Sequence, residues 1–236
     1  MRPNVSIAIE TSCRAGGLAL GVGDALAAAV DFDASARHAA QLISRLDAMV
    51  REARLAPGDL SEVYVSAGPG SFTGLRIGIT VARTLCQAIP GLRAVAVPTA
   101  EAVAQNAADL DFKHLAVVMD ARHGLVFRQV FRRRGGQIAP AGPGLVVPAD
   151  ELADHVPGDT LLIGEGLAYH DLASGGLRLG QPQPGPLHAP RADNVWRVGR
   201  RLARAGKFTN PRELLPIYLR KPEALRLWES RQKNEL

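Results

Sequence analysis

Glycines at 68, 70, 74 and 78, with hydroxyls at Ser71 and Thr73, lie between a strand-like run and a helix-like run and form the clearest candidate for chemistry in the chain. Glycine permits positive φ and close approach of a backbone. A Ser or Thr at a helix start accepts hydrogen bonds from the first free N–H groups, and such a start attracts anions. The chemistry implied is a phosphate cradle made of Gly68, Gly70, Ser71 and Thr73. The spacing nevertheless fits neither standard fingerprint. Gly68-x-Gly70-x-x-x-Gly74 has one residue too many for a dinucleotide turn, and Leu75-Arg76 stands where a P-loop places Lys-Ser/Thr. Spacing alone favours a structural turn from strand into helix.

The remaining reactive side chains are scattered. Cys13 beside a polar loop and Cys86 in an apolar helix have neither metal-ligand spacing nor a disulfide framework, and His114, His123, His155, His170 and His188 show no metal spacing either. No catalytic metal and no cofactor are expected. Arg197, Arg200, Arg201 and Arg204 fall at i, i+3, i+4 and i+7, so they share one helix face while Val195, Val198 and Leu202 share the other. Such a stripe could face RNA phosphate. With no aromatic residue interleaved on that face, a solvated surface is the simpler reading.

The elements that position these residues follow from periodicity. Val5–Ile9, 17–22 and 25–32 read as three successive strands, followed by a helix over 38–55 with Ala39, Leu42, Ile43, Leu46, Val50 and Ala53 at helical spacing. A strand near 62–67, the glycine turn, a helix over 74–88, a strand over 94–97 and a helix over 99–108 complete a βββαβαβα order. That order implies a mixed sheet covered by helices. The pattern then partly restarts with strands at 115–119, 125–131, 145–147 and 160–163 and a short helix near 149–155. A loop rich in Gly and Pro over 175–190 leads to the basic helix at 193–205. The expected division is an N-terminal unit, 1–110, and a degenerate second copy, 111–236, that carries the basic helix.

The chain has 236 residues, 47% of them hydrophobic, enough to bury a core. Its apolar runs are too short to cross a membrane, and Met1-Arg2-Pro3 leads straight into a strand, so the expected compartment is the cytoplasm. The net charge of +5 is uneven: from Arg191 to Leu236 there are 12 Lys/Arg against 5 Asp/Glu, giving +7 there and −2 elsewhere. In the helix at 74–88 only Arg76 and Arg83 are charged, so it is apolar nearly all round and is expected either to be buried or to meet a partner subunit.

Four motifs occur in order: Ile7-Ala8-Ile9-Glu10-Thr11-Ser12, the Gly-Pro-Gly-Ser-Phe-Thr-Gly-Leu-Arg-Ile-Gly block at 68–78, Asp120-Ala121-Arg122, and Pro216-Ile217-Tyr218-Leu219-Arg220. Together they resemble the TsaB (YeaZ) family. The resemblance implies an α/β, duplicated actin-like ATPase fold (ASKHA, ribonuclease H-like). It also implies a part in adding a threonylcarbamoyl group to the adenosine beside the anticodon of tRNAs that read codons beginning with A. In that machinery the family is the partner that binds and activates its paralogue TsaD, alongside the small ATPase TsaE, and it meets tRNA only indirectly.

The residues depart from an enzyme's pattern at two places. The catalytic paralogue carries His-x-x-x-His, whereas here His38 is followed by Leu42. Actin-like ATPases place Asp-x-Gly-Thr/Ser at the first hairpin, whereas here it reads Glu10-Thr11-Ser12-Cys13-Arg14. Thr11, Ser12, Gly68, Gly70, Ser71 and Thr73 are therefore expected to be a remnant phosphate turn with no catalytic residue. The partner interface is expected on Leu42, Leu46, Met49, Leu75, Ile79, Ala82, Arg83 and Cys86, pairing with TsaD or, without it, with a second copy. The alternative is a weak ATPase or nucleotide-binding enzyme, a metallopeptidase being disfavoured by the missing His pair.

Overall fold

A computed structural model describes residues 4–32, 38–172, 177–180 and 187–219. The strands are β1 (Val5–Glu10), β2 (Gly16–Val22), β3 (Ala25–Phe32), β4 (Leu60–Gly68) and β5 (Arg93–Pro98), with helices α1 (His38–Glu52), α2 (Phe72–Ala88) and α3 (Thr99–Ala104). They form a five-stranded sheet of order β3-β2-β1-β4-β5, antiparallel through the β1–β2–β3 meander and parallel from β1 to β5.

A second sheet contains β6 (His114–Arg122), β7 (Leu125–Arg134), β8 (Gln137–Pro140), β9 (Leu145–Pro148), β10 (Thr160–Ile163) and β11 (Arg178–Leu179). Its order, β11-β10-β6-β7-β8 with β9 also pairing β7, repeats that of the first: an antiparallel hairpin on one side of the first strand and parallel neighbours on the other. The expected helix near 149–155 is only a 3₁₀ turn over 152–155, and strands β8 and β11 were not evident from periodicity.

Side chains alternate across β1, and each face has its own cover. Ile7 and Ile9 meet Leu42, Leu46, Met49, Val50, Ile79 and Ala82 of α1 and α2. Ala8 faces the other way, where Ala19, Tyr64 and Val97 meet Val195, Trp196 and Val198 of α4 (Ala192–Arg204). This corrects the expectation that the basic helix belongs with the second copy. Small residues at Ala8, Ala19 and Gly21 make a surface shallow enough for α4 to approach: a Cβ on Gly21 would stand 2.0 Å from Trp196, whose indole N–H donates to Ser6 Oγ at 2.9 Å. Helix α3 is shared, since Ala102 packs toward the first sheet while Ala100, Val103 and Ala104 pack toward Leu115, Val117 and Phe131 of the second. Helices α3 and α4 thus form the layer between the sheets. Among the described residues no helix is long and apolar enough to cross a membrane.

Candidate functional site

The glycine turn and the end of β1 are built into one another. Strand β1 delivers Glu10, which is 1% exposed, to the end of the sheet. Ser12 donates its N–H at 2.5 Å and its hydroxyl at 2.6 Å to Glu10 Oε1, while Ser66 on the adjacent strand donates its hydroxyl to Oε2. Burial pushes the Glu10 carboxyl above its ordinary pKa, and the Ser12 and Ser66 hydrogen bonds partly oppose that rise.

The glycines supply closeness, and it is spent on the chain itself. A Cβ on Gly70 would stand 2.3 Å from Ser12 O, one on Gly74 1.9 Å from Thr11 O, and one on Gly78 2.4 Å from Thr11 Oγ1. Thr11 Oγ1 donates to Gly74 O at 2.7 Å and Ser71 N–H to Ser12 O at 2.6 Å. Ser71 caps α2 by accepting from Gly74 N–H at 3.3 Å. Gly68, at φ +116°, lies against Ile217, whose N–H donates to Ala67 O at 2.6 Å. The structure thus brings Thr11, Ser12, Gly68, Gly70 and Ser71 together, with the cradle filled by the backbone of Thr11 and Ser12, the Ser12 Cβ and the Thr11 hydroxyl. Thr73 is exposed beside them.

Outside this closed turn, Phe72 stacks on Tyr218 with ring centroids 4.8 Å apart. The Arg76 guanidinium lies 3.8 Å from the Phe72 centroid and donates through Nε to Tyr218 Oη at 3.0 Å. The Arg220 end of the last motif lies outside the described residues.

The corresponding end of β6 carries a polar group that motif spacing did not reveal. Glu165 Oε1 accepts from Asp120 N–H at 3.1 Å, and His170 Nε2 stands 3.0 Å from Asp120 Oδ1. Burial raises the Glu165 carboxyl. The three residues are separated by 45 and 50 positions, so only the fold brings them together. Burial, with Glu10 nearby, also raises the Cys13 thiol, which is therefore held away from the reactive thiolate form. Among the described residues no three His, Cys, Asp or Glu side chains are grouped as metal ligands. His38 stands at the start of α1.

The expected interface is largely internal. Leu42, Leu46, Met49, Leu75, Ile79 and Ala82 are between 0 and 7% exposed within this chain's own core, because the wide apolar stripe of each helix is needed to cover the sheet. Arg83 and Cys86 are half-buried at the edge of that core. Outward positions on the two helices include Ile43, 53% exposed, and Phe72, Arg76, Thr80 and Thr84.

The arginine stripe is divided as well. Arg201 pairs with Glu101 and donates to Ile138 O at 3.1 Å, and Arg200 donates to Gly23 O and pairs with Asp24. Arg197 and Arg204 are more exposed, against Asp193 and Asp24 respectively.

The family model described as TsaD: tRNA N6-adenosine threonylcarbamoyltransferase matches residues 32–203. The tRNA threonylcarbamoyladenosine biosynthesis protein TsaB of Bacillus subtilis is 28% identical over 236 residues, which is 96% of this chain and 99% of that one. An uncharacterized protein of Mycobacterium tuberculosis is 32% identical over 197 residues, 83% of this chain and 80% of that one. The solved structure of YeaZ from Pseudomonas aeruginosa superposes with a TM-score of 0.79 at 24% identity, covering 92% of this chain and all of that one. The two sheets of matching order are those of the duplicated actin-like ATPase fold.

Proposed function

Because this chain belongs to the TsaB/YeaZ group within the TsaD family, and so to tRNA threonylcarbamoyladenosine biosynthesis, we propose that it works as a non-catalytic subunit that binds and activates TsaD. The reaction served is threonylcarbamoyl transfer to the adenosine beside the anticodon of tRNAs reading codons that begin with A. One observation carries the reading: the close-approach volume of the glycine turn is occupied by Thr11 and Ser12, and the carboxylate at the end of β1 is consumed by Ser12 and Ser66. A turn closed in this way sets the start and angle of α2.

In this reading the partner face is the outward side of α1 and α2, from Ile43 across Thr80 and Thr84 to the Phe72–Arg76–Tyr218 unit. Rigid aromatic and arginine side chains are the usual anchors of such contacts. TsaE joins the larger assembly, and two copies pair through the same face when TsaD is absent. The test is a tRNA modification assay with and without this chain, together with co-purification with TsaD. Full modification in its absence overturns the reading. So does steady ATP turnover by the isolated protein that is lost in Thr11→Val or Ser71→Ala.

A further inference from the structure

The first sheet has a second polar site at the end opposite the glycine turn, where β1, β4 and β5 begin and the β2–β3 hairpin turns. There the last turns of α4 close a bay of about 430 Å³ walled by Asn4, Asp24, Glu62, Arg93, Arg200 and Arg204. Its volume is within the range of small-molecule sites.

The carboxylates in this bay are unequally committed. Glu62 is buried and accepts from the Tyr64 hydroxyl and, at 2.6 Å, from Arg93. Asp24 is different: its side chain is 78% exposed on a hairpin turn and is shared by two guanidinia, Arg200 and Arg204. Arg200 is only 12% exposed, and both its burial and the neighbouring positive charge of Arg204 disfavour its charged form. In the same wall Asn4 Oδ1 is buried and accepts no hydrogen bond. One largely buried guanidinium, Arg200, and one exposed one, Arg204, answered by a single exposed carboxylate match the recognition of an oxyanion through charged N–H donors.

We propose that this bay binds a phosphate oxyanion, held by Arg200 and Arg204 with Arg93 at the far wall, and that Asp24 is the internal anion it displaces. Asn4 supplies an acceptor for a hydroxyl on the phosphate or on an attached sugar. The phosphate is carried either by a free nucleotide or by the RNA backbone. The site is separate from the partner face, so it stands or falls independently of binding to TsaD.

The experiment measures binding of inorganic phosphate, adenosine 5′-monophosphate and a tRNA transcript to the full chain across a salt series. Asp24→Asn and Arg204→Gln, both exposed positions, are compared after circular dichroism confirms their folds. Asp24→Asn is expected to tighten binding and Arg204→Gln to weaken it about tenfold, as for a lost hydrogen bond to a charged group. Binding of phosphate or the mononucleotide assigns the free-anion source, and binding of tRNA alone assigns the RNA backbone. If all three ligands fail to bind the Asp24→Asn chain, or if Arg204→Gln binds as well as the parent, the proposal is overturned.

Discussion

Thr11 and Gly74 hold the end of β1 against the start of α2: the threonine hydroxyl donates to Gly74 O at 2.7 Å, and the Thr11 carbonyl occupies the space where a side chain at 74 would begin. A sequence feature that suggests room for a phosphate is, in three dimensions, a joint with no room left.

Gly74→Ala tests that joint. Its Cβ would be forced to 1.9 Å from Thr11 O, so the loss should reach at least about 2 kcal/mol despite alanine's better helix propensity. Gly58→Ala, with nothing within 4 Å, should change stability by less than about 0.5 kcal/mol. Urea denaturation of the two variants decides the matter.

The Glu10 carboxyl should leave a mark on stability against pH. Its folded pKa lies above the ordinary 4.5, so from 4.5 upward to the raised value the folded chain keeps a proton that the unfolded chain has lost. Stability from this group therefore falls as pH rises through that window. Relative to the parent, Glu10→Gln should gain stability as pH rises from 4.5 to the raised value and level off above it in parallel urea titrations. An unchanged difference between the two proteins would show that the carboxyl titrates normally.

The two sides of the helical layer should respond differently to charge. Ile79→Glu places an unpaired carboxylate in the core and should cost about 3 to 5 kcal/mol, unfolding much of the protein. Ile43→Glu, at an exposed position, should leave thermal unfolding nearly unchanged yet abolish co-purification with TsaD. Retained co-purification by the folded Ile43→Glu protein would remove α1 from the interface.

The arginine stripe of α4 should separate into structural and solvated members. Arg201→Ala breaks the link to Glu101 on α3 and to Ile138 O, and should cost about 1 to 3 kcal/mol. Arg197→Ala removes a half-exposed pair with Asp193 and one hydrogen bond to Asn194 Oδ1 at 2.9 Å, and its effect should stay below about 1 kcal/mol, less than that of Arg201→Ala. Equal thermal shifts for the two variants would contradict the division.

Local pattern carried much of this protein. Alternation at Val5–Ile9 and helical spacing at Leu42, Leu46 and Val50 are properties of neighbouring residues, and they already specify strands, helices and the repeated order of the two halves. Four short motifs then sufficed for the family resemblance. Tertiary structure decided the rest, for reasons of distance and direction. Ser66 reaches Glu10 across 56 positions and His170 reaches Asp120 across 50, spans over which sequence spacing carries no geometry. A helix apolar on several sides does not declare which side it buries. That choice was made by the surface of β1, β2 and β4, which took Leu42, Ile79 and Ala82 inward and left Ile43, Phe72 and Arg76 outside. Glycine likewise records only that something comes close, and the fold determined that this something is the backbone of Thr11 and Ser12.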